Sequence, residues 1–208
     1  MEDVLDLYAQ PYDPKRPVIC MDEANRQLIS EVKVPIKVKP GHPAKYDAHY
    51  KREGVCNLFL FTDPLRGWRQ VQVRAYRTKI DWVQCLTTIL EQYGDEIEKM
   101  RVVLDNLNIH NPAAFYEVYE PAKAKQLLSR LEFHYTPTHA SWLNIAEIEL
   151  SVLVRQCLKQ RIPSQECMKK EVTNWSTARN QACRTVDWHF TTEDARIRLK
   201  RLYPSYLP

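Results

Sequence analysis

Two short apolar runs, each stopped by an aspartate, limit what this chain can fold into more than any other feature. Residues 17–22 read Pro-Val-Ile-Cys-Met-Asp, and Met100–Leu104 runs into Asp105. Runs of this kind and length mark buried strands. Val55–Phe61 is a third. It leads into the turn residues Asp63-Pro64-Leu65-Arg66-Gly67, then Trp68, Val71, Val73 and Ala75 in partial alternation, so 55–77 reads as a hairpin. Residues 80–93 change to helical spacing, with Trp82, Val83, Leu86, Ile89, Leu90 and Tyr93 closed by Gly94. Pro112–Arg130 reads as one or two helices interrupted at Pro121, and Leu131–Tyr135 as a last short strand. From Ser141, a candidate N-cap, Leu143, Ala146, Leu150, Val154 and Cys157 form a helical stripe. Further helices are expected from Ser164 and from about Glu193, the latter capped by Thr191 or Thr192. Strands joined by a tight hairpin are antiparallel, whereas strands reached through helices can be parallel. The expected fold is therefore α/β: a mixed five-stranded sheet, three antiparallel strands first and then two parallel ones, flanked by helices.

Length and composition narrow the class without naming a function. The 208 residues suit a single domain, 1–208, with a real core, and 44% hydrophobic with 27% charged residues excludes a disordered or low-complexity chain. No apolar stretch reaches membrane length, and the acidic start Met1–Gln10 is not a secretory signal. Thirty basic against 26 acidic residues leave a charge of +4, which permits a nucleic-acid partner without requiring one. The six cysteines form no CxxC and no zinc-site spacing; they are expected to be reduced, buried small hydrophobes.

Three acids stand where a purely structural chain rarely puts them. Asp22 and Asp105 end apolar strands. Glu147 lies within about 60° of Leu143, Leu150 and Val154 at about 100° per helical residue, whereas Glu149 falls on the far side. A carboxylate against a core costs several kcal/mol unless it is paired or binds a cation. No Lys or Arg adjoins any of the three in sequence, so a divalent cation with hard oxygen ligands, Mg²⁺ or Mn²⁺, is the economical solution. Turn or cap roles for single acids, and a carboxylate pair for glycoside hydrolysis, remain open on spacing alone. Glu23 and Glu149 are the nearest competitors for the three roles.

The blocks around these acids carry a resemblance. Cys20-Met21-Asp22-Glu23, Val102-Val103-Leu104-Asp105-Asn106 with Asn108-Ile109-His110, and Ser141-Trp142-Leu143-Asn144-Ile145-Ala146-Glu147 resemble the catalytic blocks of DDE transposases, nearest to the bacterial insertion-sequence branch of the mariner superfamily. The resemblance implies a ribonuclease H-like fold and two metal ions, Mg²⁺ or Mn²⁺, held by Asp22, Asp105 and Glu147, with Asp22 bridging. It implies an enzyme that cuts DNA at the ends of a mobile element and joins the 3′-hydroxyl ends to target DNA. It also implies a homodimer in the DNA complex and a bacterial cytoplasmic, nucleoid-associated location. In the third block Ile145-Ala146 stand where the family usually has proline and a hydrophobic residue. Asp22 lies close to the start of the sequence, so the family's N-terminal helix-turn-helix domain is expected to be absent. The chain is then a catalytic half alone: one frame of a split gene partnered by an upstream-frame helix-turn-helix protein, a truncated copy, or a cut-down piece. A silent, DNA-binding descendant of a transposase and another ribonuclease H-like nuclease are the alternatives.

The remaining candidates concern DNA. Residues 33–53 read as a basic insertion, in which Lys33, Lys37, Lys39, Lys45, Lys51 and Arg52 face a single acid, Asp47, and Pro35, Pro40, Gly41 and Pro43 break any regular element. Its cations would meet phosphates, and Tyr46 or Tyr50 would pack on sugar or base. Trp142 and His110 are further candidate DNA contacts, with His139 beside them. Residues 160–208 are expected to be a C-terminal helical extension, whose Arg196, Arg198, Lys200 and Arg201 read as a solvated helix face.

Overall fold

The two acid-ended runs lie side by side in a computed structural model that describes residues 1–138 and 140–203. The first run opens β1 (Val18–Glu31) and the second is β4 (Met100–Leu104). They pair in parallel, with Val18 opposite Arg101 and Cys20 opposite Val103. The other strands are β2 (Tyr50–Asp63), β3 (Trp68–Arg74) and β5 (Leu131–Tyr135). The sheet order is β3-β2-β1-β4-β5, antiparallel from β3 to β1 and parallel from β1 to β5. This is the expected mixed sheet.

Side-chain alternation divides the core between the two faces of the sheet. Ile19, Met21, Val102 and Leu104 face α2 (Lys79–Gln92), α3 (Phe115–Val118) and α4 (Pro121–Ser129), where Trp82, Leu86 and Phe115 are fully buried. Val18, Cys20 and Val103 face the other layer: α1 (Glu2–Tyr8), α5 (Ile145–Gln156) and α6 (Gln165–Gln181). Before α7 (Thr192–Arg198), Thr191 and Asp194 close a capping box, and α7 is tied to α1 by a bidentate Arg196–Glu2 pair at 2.7 and 2.8 Å. Arg196 is thus a fastening rather than a free cation.

Several expectations are corrected. Helix α5 starts at Ile145, not Ser141: Ser141–Leu143 is a 3-10 turn, and the cap is Asn144, whose side chain accepts from the Ala146 N–H. The buried face of α5 is Ile145, Ala146, Glu149 and Leu153, while Leu150 and Val154 are only half-buried. Glu149 therefore points inward. Its Oε2 lies 3.3 Å from Arg69 Nε and its Oε1 2.8 Å from Arg179 Nη2, so a charged triad occupies what the sequence pattern marks as a solvent face. β4 is not wholly apolar: Arg101 is buried too, and its guanidinium bonds the Arg16 carbonyl and Gln10. β1 and β2 run far beyond their apolar cores, and together they hold residues 32–49 out as the tip of a long hairpin. Cys20, Cys56 and Cys85 are buried, but Cys157 is half-buried and Cys167 and Cys183 are exposed.

Candidate active site

The parallel register builds the centre of the site. Asp22 stands two residues beyond Cys20 in β1, and Asp105 directly follows β4, two residues beyond Val103, where the paired register ends. Same-face parity aims Asp22 at the α5 layer. Glu147 lies in the first turn of α5. That turn is pinned to β1 by Asn144, whose Nδ2 donates to the Met21 carbonyl at 2.8 Å. Tyr8 fastens the preceding turn by donating to the Leu143 carbonyl at 2.8 Å.

Electrostatics couples these groups. The Asp22 carboxyl is pushed up to about 7, first by burial and then by the charges of Glu23, Asp105 and Glu147; the Glu23 N–H, donating to Oδ1, opposes the rise. No Lys or Arg pairs with Asp22 or Glu147 among the described residues. The second carboxylate oxygens of Asp22 and Asp105, Oδ2, accept no hydrogen bond from the described residues. Asp22 and Glu147 lack a protein counter-charge, and with Asp105 they offer hard oxygen donors of the kind a divalent cation takes, although among the described residues the ligand atoms of these three do not all lie within 4.8 Å of one another.

Asp105 belongs to a second cluster as well. His110 Nδ1 lies 2.8 Å from Asp105 Oδ1, and His110 Nε2 lies 2.7 Å from Glu23 Oε1. Glu23, Asp105 and His110 bring three ligand-type atoms within 4.8 Å of one another. The hydrogen bond from His110 holds the Asp105 carboxyl below its ordinary range against burial. Burial alone would lower His110, but bonds to Asp105 and Glu23 outweigh it and push His110 up to about 10. Trp82 covers the imidazole at 5.5 Å between ring centroids. His110, expected to touch DNA, is therefore buried with both ring nitrogens engaged, and has no free donor for a phosphate. Sequence reasoning missed the Glu23–His110 contact, which spans 87 positions; strand alternation, which sends Glu23 to the opposite face from Asp22, was the available signal.

The other candidates sit on the surface. Trp142, 40% exposed, packs edge-on against Phe190 with ring centroids 5.5 Å apart. A cleft of about 220 Å³ opens beside Asp105, lined by Asn106, Thr136, Thr138 and Ser141. In the hairpin, Lys33 pairs with Asp47 and Lys51 with Glu53, so these two have acid partners after all. Lys37, Lys39, Lys45 and Arg52 form no ion pair among the described residues. Arg161 braces the hairpin base through Glu31, the Asp47 and His49 carbonyls and the Tyr50 ring. His139 lies outside the described residues.

Comparison with known proteins bears on the fold and the family. Among solved structures, a chain of the Mos1 mariner paired-end complex with Mn superposes at a TM-score of 0.57 with 20% identity, over 87% of this chain and 54% of that one. The Mos1 strand transfer complex gives 0.57 and 16%, over 87% and 53%. A pre-cleavage Mos1 transpososome gives 0.55 and 16%, over 89% and 60%. These likenesses show the ribonuclease H-like fold, and the chain spans about half the length of the Mos1 chains it matches. No curated protein sequence matches it. Among the described residues no helix is long and apolar enough to cross a membrane. The family model described as DDE superfamily endonuclease matches residues 17–169, which take in all three candidate acids, and the chain belongs to that family.

Proposed function

We propose that this chain is the catalytic domain of a DNA transposase, cutting DNA strands at the ends of a mobile element and joining 3′-hydroxyl ends to target DNA. The observation that carries the reading is geometric: Asp22 and Asp105 follow the paired segment of β1 and β4, and Glu147 lies in the first turn of α5, which Asn144 ties to β1 beside Asp22. Asp22, Asp105 and Glu147 would hold Mg²⁺ or Mn²⁺, two ions by family resemblance. When bound, such ions polarise the scissile phosphate and make water or a hydroxyl a better nucleophile. The protein's part is positional. His110 and the Leu107 N–H fix Oδ1 of Asp105, the Glu23 N–H fixes Oδ1 of Asp22, and Asn144 sets the height of Glu147 along β1. The Mos1 structures, a paired-end complex with Mn and a strand transfer complex, support the same chemistry here.

The hairpin supports duplex DNA and a second copy of the chain as partners. Lys37, Lys39, Lys45 and Arg52, with Lys33 and Lys51, would meet phosphates, and Trp142 would stack beside the cut. Val32, Val34, Ile36 and Val38 alternate with these lysines and are 58% to 91% exposed, an apolar edge suited to burial in a paired assembly. The test is nicking of duplex DNA in Mn²⁺ or Mg²⁺. Asp22→Asn, Asp105→Asn and Glu147→Gln should each abolish it while the protein stays folded. Wild-type nicking by any of the three, or preference for an RNA–DNA hybrid, overturns the assignment.

A further inference from the structure

We propose that Arg26, Arg155 and Lys159 form a phosphate-binding track that receives the DNA backbone as it leaves the carboxylate pocket, an inference that rests on the functional reading above. β1 and α5 run alongside each other in the same direction, fastened at the start of α5 and again in the segment that follows it. At the first point Asn144 bonds the Met21 carbonyl; at the second the Ile29 N–H donates to the Ile162 carbonyl at 2.8 Å.

Arg26 lies on the same face of β1 as Asp22, with only the methyl of Ala24 between them. Four strand residues place it about 13 Å from Asp22 at about 3.3 Å each. On α5, Arg155 is about 12 Å past Glu147 at about 1.5 Å per residue. Its Nε donates to the Ser151 carbonyl at 3.3 Å, which holds the guanidinium against the helix. Lys159 joins the two sides. It lines a hollow of about 180 Å³ that contains Arg26 and Gln27, and a groove of about 390 Å³ that contains Arg155 and Asn174.

The charges there are uncommitted. Arg26, Arg155 and Lys159 form no ion pair among the described residues, whereas the neighbouring Arg161 is taken by Glu31 at 2.6 Å. Glu171 is the only carboxylate lining either hollow among the described residues. Three cations free of ion pairs, with the Asn174 amide beside them, match the chemistry of a nucleic-acid backbone. Given a rise of about 3.4 Å per phosphate along one strand, Arg26 and Arg155 would meet phosphates about four nucleotides from the cut, and Lys159 phosphates further out.

The experiment is a fluorescence-anisotropy titration of duplex DNA with the full chain at several salt concentrations. Arg26→Glu with Lys159→Glu should weaken binding at least tenfold near physiological salt. It should also lower the slope of log affinity against log salt by about two, close to one for each phosphate no longer neutralised. Arg26→Gln with Lys159→Gln should give an intermediate loss, with a melting temperature within about 2 °C of wild type as expected for surface changes. A double variant that keeps the wild-type slope and affinity overturns the track and leaves the functional reading standing. A wild-type chain that binds no DNA overturns both.

Discussion

Replacing Glu149 with Gln separates the two glutamates of α5 by their opposite physical roles. The Arg69 side chain is fully buried and that of Glu149 is 2% exposed, so their 3.3 Å contact is shielded from water. Arg179, at 2.8 Å, adds a second positive charge. Removing the carboxylate leaves two guanidinium groups facing each other around a buried site. Breaking a buried pair from one side costs about 3–5 kcal/mol, against a total stability of roughly 5–15 kcal/mol. For a chain of this length, about 2–4 °C per kcal/mol gives a fall in melting temperature of roughly 6–20 °C. Glu147, half-exposed and without an ion-pair partner among the described residues, should change stability by no more than about 0.5 kcal/mol when it becomes Gln. Thermal melts of the metal-free proteins, read beside nicking assays run well below both midpoints, give the comparison. Glu149→Gln should be unstable and active, Glu147→Gln stable and inactive. A Glu149→Gln protein melting within about 2 °C of wild type would show that the triad contributes nothing.

Asn144→Ala removes both the α5 cap and the bond to Met21; it should cost about 1–2 kcal/mol and lower the nicking rate further than that loss explains, a difference seen by assaying well below the melting temperature. Lys37, Lys39 and Lys45 changed together to Gln should lower the salt slope of duplex binding by about two to three, measured by anisotropy, with the melting temperature unchanged. Burial raises the carboxyl of Asp63 above its ordinary value, although the Arg66 N–H and the Tyr93 hydroxyl bond it. Because the unfolded chain gives up this proton at lower pH than the folded one, Asp63 favours folding most in acid and that contribution falls as pH rises from about 4. Asp63→Asn should flatten that part of the decline in melting temperature with pH.

Where burial is one-sided or complete, the sequence spells it out, and the five strands with their antiparallel and then parallel sense were legible for that reason. The distal halves of β1 and β2 were not, because both faces there are largely exposed and no apolar rhythm marks them. Helix α1 has seven residues, too few for periodicity to emerge, and it is held by packing of Val4, Leu5, Leu7 and Tyr8 on the sheet. The inward turn of Glu149 was hidden because a buried ion triad has the composition of a surface. The acids Asp22 and Asp105 were legible from local context alone. The imidazole that bonds Asp105 and Glu23 was not, since its contact with Glu23 exists only after β1 and β4 have paired.

The same chain shows two answers to the problem of a carboxylate near its core. At Glu149 the protein supplies the counter-charge itself, with two arginines drawn from β3 and α6. At Glu23 it supplies His110, buried between two acids. Asp22 directly precedes Glu23 on the same strand, yet it receives one backbone N–H and no cationic side chain among the described residues. It is instead set among further negative charge from Asp105 and Glu147. A sequence able to neutralise Glu23 and Glu149 had the means to neutralise Asp22. Leaving it unpaired carries an electrostatic cost that selection for stability alone would remove. The counter-charge for Asp22 is accordingly expected from outside the polypeptide, which supports the proposed reading of Asp22 as a cation ligand.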